Sequence, residues 1–257
     1  MRKKYFIPLT IVVLAAFIGT LAIATPNGKT KGKDKVLSKI TFIHHRKAYG
    51  KPPWAGGGKG NGGGKKEEQG YYEYIAKGAK WKTQEDFELN PNCNDSTATE
   101  TIITNAVDSG LDEWETAGGT TELSIFGNLY INEVVNYNDG NYRGYNTISF
   151  GTYENANVIG VTTVWGYFTG PPGQREIIEA HVLLNDDFVW GDADTNAALM
   201  DIQNIFTHEI GHAAGMGDLY EDAASEETMY GYSSEGETKK RDLYKGDITG
   251  ITKLYSN

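Results

Sequence analysis

The sequence predicts an α+β domain. Three observations carry this: an amphipathic helix near residue 100, a series of short β-branched and aromatic runs, and a later helix bearing two histidines four residues apart. The first helix opens at Thr97-Ala98-Thr99-Glu100, a capping-box pattern, and places Ile103, Val107, Leu111 and Trp114 on one stripe before Gly118-Gly119 ends it. Leu123–Phe126, Asn146–Phe150, Val158–Val164 and Ile177–Asn185 read as strands, with an edge strand near Phe87-Glu88-Leu89. The second helix runs from about Asn196 to Ala214, with Leu199, Ile202, Phe206 and Ile210 facing inward. A third helix closes the chain after Lys245, so the domain has three main helices.

The chemistry concentrates in His208-Glu209-Ile210-Gly211-His212-Ala213-Ala214-Gly215-Met216-Gly217-Asp218. Residues four apart on a helix share a face, so His208 and His212 can hold one zinc ion between them. Glu209 stands beside them, where a carboxylate can take a proton from water at the metal. Gly215 permits a sharp exit in the left-handed conformation, and that turn can carry Asp218 back as a third ligand. Three protein ligands leave one position open, which is the mark of a catalytic zinc site. About ten residues further on lies Glu227-Thr228-Met229-Tyr230-Gly231-Tyr232. Taken alone, Met229 reads equally as a core side chain filling a gap.

The zinc motif, the Met229 segment and the ending Asp247-Ile248-Thr249-Gly250-Ile251-Thr252-Lys253-Leu254-Tyr255 together resemble the catalytic domain of matrixin-type metzincin metalloproteases, secreted prokaryotic ones above all. The similarity covers roughly residues 70–257 and is strongest from Asn146 onward. It implies the metzincin (zincin-like) fold: a twisted mixed sheet with an antiparallel edge strand over the cleft. It also implies a zinc endopeptidase and a methionine floor beneath the metal at Met229. The family motif places a third histidine where this chain has Asp218, and a carboxylate is an ordinary zinc ligand. By the same resemblance Ile177–Asn185 is the edge strand to which an extended substrate adds, with Leu183 and Leu184 on its rim. A plain core strand would carry the same residues. Tyr230 and Tyr232 either line the substrate pocket or pack as core aromatics.

Met1-Arg2-Lys3-Lys4 followed by the apolar run Tyr5–Ala24, ending Ala22-Ile23-Ala24, reads as a signal peptide. Left uncleaved, the run is long enough to anchor the chain in a membrane. The expected organisation is therefore residues 1–24 as signal or anchor, 25–69 as a basic glycine-rich pro-region or linker, and 70–257 as the catalytic domain. Secretion, or attachment to the outer face of the cell membrane, follows from that reading, and so does access to extracellular matrix. Charge is split along the chain: residues 1–66 hold 14 of the 24 Lys+Arg and one acid, Asp34. The remaining 33 acids against 10 bases would repel nucleic acid. Gly56–Gly58 and Gly62–Gly64 suit a flexible stretch, whereas Ile40-Thr41-Phe42-Ile43 suits one short strand. His44-His45 beside it reads as a solvated pair. The basic segment is expected to fold against the acidic domain before processing.

Cys93 is the only cysteine, so no intrachain disulfide forms. Matrixins are often kept latent by a propeptide cysteine, but Asn90-Pro91-Asn92-Cys93-Asn94 lacks that motif and falls inside the catalytic region. Asp186, Asp187, Asp192 and Asp194 form an acidic loop that either binds structural Ca2+ or is solvated. His181 reads as a packed strand residue. The reading is thus a monomeric secreted Zn2+ endopeptidase acting on polypeptide, with Glu209 as general base. The alternatives are a gluzincin-type peptidase using Glu221 or Glu226 as third ligand, and a non-catalytic cell-surface binding module.

Overall fold

The computed structural model describes residues 5–6, 35–47, 70–94, 97–119 and 124–256. The Gly-rich stretch and most of the N-terminal apolar run lie outside them. No helix among the described residues is long and apolar enough to cross a membrane. The strands are β1 (Tyr5–Phe6), β2 (Ser38–Arg46), β3 (Glu85–Leu89), β4 (Phe126–Ile131), β5 (Asn146–Gly151), β6 (Val158–Tyr167), β7 (Glu176–Asn185), β8 (Trp190–Gly191), β9 (Met200–Asp201) and β10 (Tyr232–Ser233). The helices are α1 (Glu100–Gly118), α2 (Ile202–Ala214) and α3 (Lys245–Tyr255). Eight strands form one mixed sheet in the order β1-β4-β3-β5-β7-β6-β2-β10, and β8 pairs with β9 separately. This is the α+β metzincin architecture.

Three boundaries differ from expectation. The side chain that caps α1 is Thr99, whose hydroxyl accepts from the Ile102 N–H, so the Thr97 capping box does not form. Thr97 instead bonds the Trp190 carbonyl. Helix α2 starts at Ile202 with Asp201 as its cap, because Met200 and Asp201 are drawn into pairing with Trp190 and Gly191. The strand expected at Leu123–Phe126 begins at Phe126 and runs on to Ile131.

Two strands also change place. Glu85–Leu89 is not an edge: β4 and β5 pair parallel on either side of it. Nor is β7 an edge, since β5 pairs parallel with one side and β6 antiparallel with the other. The strand antiparallel to β7 is β6, which β2 covers on its other side. Leu183 and Leu184, expected on a substrate rim, are interior: Leu184 belongs to the main core and Leu183 packs with Tyr137, Val158 and Val161. Buried on both faces, β7 carries apolar residues without a strict alternation, so its sequence could not announce its position.

The core lies between the sheet and the helices. Helix α1 packs on α2 and α3, while α2 lies against β6 and β7. All four stripe residues of α1, Ile103, Val107, Leu111 and Trp114, are buried, as are Ile202, Phe206 and Ile210 of α2. Two indoles grip α2 by its carbonyls: Trp114 Nε1 donates to Thr207 O (2.7 Å) and Trp81 Nε1 to Ala213 O (2.8 Å). The Tyr255 hydroxyl of α3 donates to Ala214 O (3.0 Å). The last carbonyls of a helix have no partner within it, so Trp81 and Tyr255 satisfy groups that burial would otherwise leave bare. Trp114→Phe removes one donor and part of a buried ring, and should lower unfolding stability by about 1–3 kcal/mol in a denaturant titration.

Candidate active site

Helix α2 delivers His208, Glu209 and His212, all fully buried or nearly so. It ends where Gly215 takes φ of +107° and donates its N–H back to Gly211 and His212. That left-handed residue reverses the chain and brings Asp218 over the helix. Asp218 Oδ1 lies 3.3 Å from His208 Nε2 and 3.4 Å from His212 Nε2. The other nitrogen of each ring is engaged: His208 Nδ1 with Thr228 O (2.8 Å) and His212 Nδ1 with Met216 O (3.0 Å). Backbone acceptors thus make Nδ1 the donor and leave both Nε2 lone pairs facing the carboxylate, the arrangement that orients a metal-binding histidine.

The residues fit a zinc ion. His208 Nε2 and Asp218 Oδ1 are buried with no hydrogen-bond partner among the described residues, a costly state for polar atoms unless something binds them. Ligands about 2.0–2.1 Å from a tetrahedral zinc stand about 3.3–3.4 Å from one another, which is the spacing found. His208, His212 and Asp218 form one of two metal-competent groups among the described residues; His44, His208 and Glu209 form the other. Glu221 and Glu226 are exposed, and Glu226 pairs with Lys239 instead (3.2 Å). The gluzincin-type ligand set therefore does not assemble.

Burial, together with the charges of Lys240 and His212, lowers His208 to about 4. Burial also opposes the charged forms of His212 and Asp218, yet on balance their mutual attraction raises His212 and holds Asp218 well below the usual carboxylate range. Burial pushes Glu209 up to about 7, against the pull of His212 and the Thr162 hydroxyl. Thr162, on β6, donates to Glu209 Oε2 (2.6 Å).

Met229 is fully buried beneath α2. A methyl group on Gly211 would strike its Sδ and the Trp114 ring, so the glycine is what lets the methionine lie against the helix. The segment is pinned by Asp247 of α3, which accepts from the Thr228 N–H (2.6 Å) and the Met229 N–H (3.2 Å). Tyr230 and Tyr232 are both largely buried, and their carbonyls accept from the buried ammonium of Lys240. They form a wall of the cleft by their backbone, Tyr232 through its pairing with β2.

Five partners of the site were not assigned to it from the sequence: His44, Thr162, Tyr220, Lys240 and Asp247. Tyr220 donates its hydroxyl to Asp218 Oδ2 (3.1 Å), fixing the oxygen that faces away from the histidines. Only Asp247 had a signal, through its place in the family-like ending. His44 and His45 are not solvated: both are buried on β2. The acidic loop is not an open cation site either, because Arg241 pairs with Asp192 (2.6 Å), Asp194 (2.7 Å) and Asp201. Asp186 accepts from the Asn94 N–H, and Cys93 packs partly against the core. His181 is packed between Thr147 and Glu179, as its strand position implied.

The family model described as Matrixin matches residues 80–256. The chain belongs to the matrixin family. Among curated proteins this matrixin is similar to metalloendoproteinase 1-MMP of Arabidopsis thaliana, 33% identical over 88 residues. That match covers 34% of this chain and 22% of the relative's length. Asp218, the expected third ligand, has in Tyr220 a support that the sequence did not show, and it can be tested. Tyr220→Phe should weaken zinc affinity about 10–100-fold in a chelator competition while leaving the unfolding midpoint of the metal-free protein nearly unchanged.

Proposed function

We propose that this matrixin is a zinc-dependent endopeptidase that hydrolyses peptide bonds of extended polypeptides outside the cytoplasm. The observation that carries the reading is the convergence of two orphaned ligand atoms, His208 Nε2 and Asp218 Oδ1, with His212 Nε2 beside a buried carboxylate. His208, His212 and Asp218 would hold the metal. When bound, zinc supplies Lewis-acid polarisation of the scissile carbonyl and makes water a better nucleophile at neutral pH.

The chain's own residues do the rest. Thr162 occupies Glu209 Oε2, so Oε1, which His44 Nδ1 approaches to 3.2 Å, is the atom left to accept a proton from water and pass it to the leaving amine. The side of β6 that pairs with β2 would receive substrate backbone as an added strand in place of β2, giving affinity through main-chain hydrogen bonds. Met229 closes the site from below and excludes water from the ligand set. Gly231 stands two residues after it and carries no side chain to assist.

The organisation proposed from the sequence is a signal peptide or membrane anchor over 1–24, a basic pro-region or linker over 25–69 and a catalytic domain over 70–257, acting as a monomer. Among the described residues, removing 1–24 would cost the sheet the two-residue pairing of Tyr5 and Phe6 with β4.

Chelator should abolish cleavage of an unfolded protein substrate, and added zinc should restore it. Glu209→Gln should reduce turnover at least about 100-fold while retaining one bound zinc, since a positioned general base contributes that much. Asp218→Ala should lose the zinc itself. Turnover by the Gln variant at the parent rate would refute the assigned base, and the same peptide-bond cleavage with chelator present would refute the metal.

A further inference from the structure

The strand β2 comes from the basic N-terminal segment, yet it lies in the cleft. It pairs antiparallel with β6 from Ser38↔Gly166 to His45↔Val158, and on its other side it pairs parallel with β10 through His45↔Tyr232 and Arg46↔Ser233. It therefore bridges the two walls between which a substrate would be added. Side chains alternate along a strand, so Phe42 and His44 share the face turned to α2. Phe42 stacks flat on His212, with ring centroids 3.9 Å apart and planes 8° from parallel. His44 lies over His208 at 4.0 Å, its Nδ1 is 3.2 Å from Glu209 Oε1, and its Nε2 is 3.5 Å from Lys240 Nζ. The one carboxylate oxygen left free by Thr162 is thus the one His44 covers.

We infer that Ser38–Arg46 is an intramolecular inhibitory strand: it occupies the substrate cleft of this matrixin by strand addition and masks Glu209 with His44, in place of a cysteine. This rests on the peptidase reading of the same site. Backbone pairing on two sides and the burial of Phe42 and His44 supply its hold. Its charges supply complementarity to a strongly acidic domain: Arg46 pairs with Glu235 (2.6 Å), Lys35 with Glu176 (3.2 Å), and Lys39 lies over Trp165. Exposed pairs of this kind add little energy, so they set direction more than strength. The irregular register between His44 and His45 seats His44 over the helix before the chain leaves the cleft.

The test uses the full zinc-loaded chain and the variant Phe42→Ala/His44→Ala, which removes the two rings on the metal-ligand face and no group of the catalytic set. Hydrogen exchange of the β6 amides is read alongside cleavage of a fluorogenic peptide. The parent chain should protect β6, and the variant should exchange there at least tenfold faster and cleave at least tenfold faster. A second arm places a sequence-specific protease site at residues 56–58, so that the strand can be severed after folding; cutting should produce the same two changes. Faster exchange without cleavage in any form upholds the strand and refutes the peptidase reading. Free exchange of β6 in the parent chain, or equal measurable turnover by parent, variant and severed forms, overturns the inference.

Discussion

Bringing His208, His212 and Asp218 together beneath the surface is unfavourable unless the space between their facing atoms is filled. Each imidazole has already given its Nδ1 proton to a carbonyl, and Tyr220 has claimed the outer oxygen of Asp218. What is left is a set of lone pairs with nothing to accept. A divalent ion resolves this directly, and in a structural sense the rest of the domain exists to keep those lone pairs aimed at one point. Metal affinity and folding are coupled for that reason: an ion that binds only the folded chain stabilises it by mass action.

The aim depends on α2 being held rigidly, and the hold comes from distant residues. Trp114 of α1, Trp81 ahead of β3 and Tyr255 of α3 all reach its backbone carbonyls. Gly211 lets Met229 and Trp114 press on its underside. The buried Lys240 is the cation of this region; burial lowers it to about 8, and it serves as a hydrogen-bond donor to the Tyr230 and Tyr232 carbonyls that shape the cleft wall. Burying an ammonium is tolerable here because each neighbouring carbonyl and the carboxylate of Glu237 face it.

How much of this could be read from the chain follows from where the information lies. His208, Glu209, His212, Gly215 and Asp218 fall within eleven consecutive positions, so helix periodicity and one glycine turn suffice to bring them together. The stripe of α1 and the third helix after Lys245 were legible for the same reason. Thr162, Tyr220 and Lys240 were not, because their roles arise from strand pairing and chain reversal that no local pattern encodes. Arg241 reaches Asp192 and Asp194 across 49 and 47 residues, which turned an apparent calcium loop into an ion-pair cluster. The same blindness placed an edge at β7, which β5 and β6 flank on both sides. It also left His44 as a solvent-side residue when β2 in fact carries it into the cleft.

The contacts of Asp247 carry a consequence for biosynthesis. A nascent chain leaves the ribosome from its N-terminus, so Ser38–Arg46 emerges long before the carboxylate that anchors the Thr228 and Met229 N–H groups. The floor under the metal ligands is fastened only when translation reaches the final helix. By the time that floor is fastened, Ser38–Arg46 has long since emerged and is present to pair with β6.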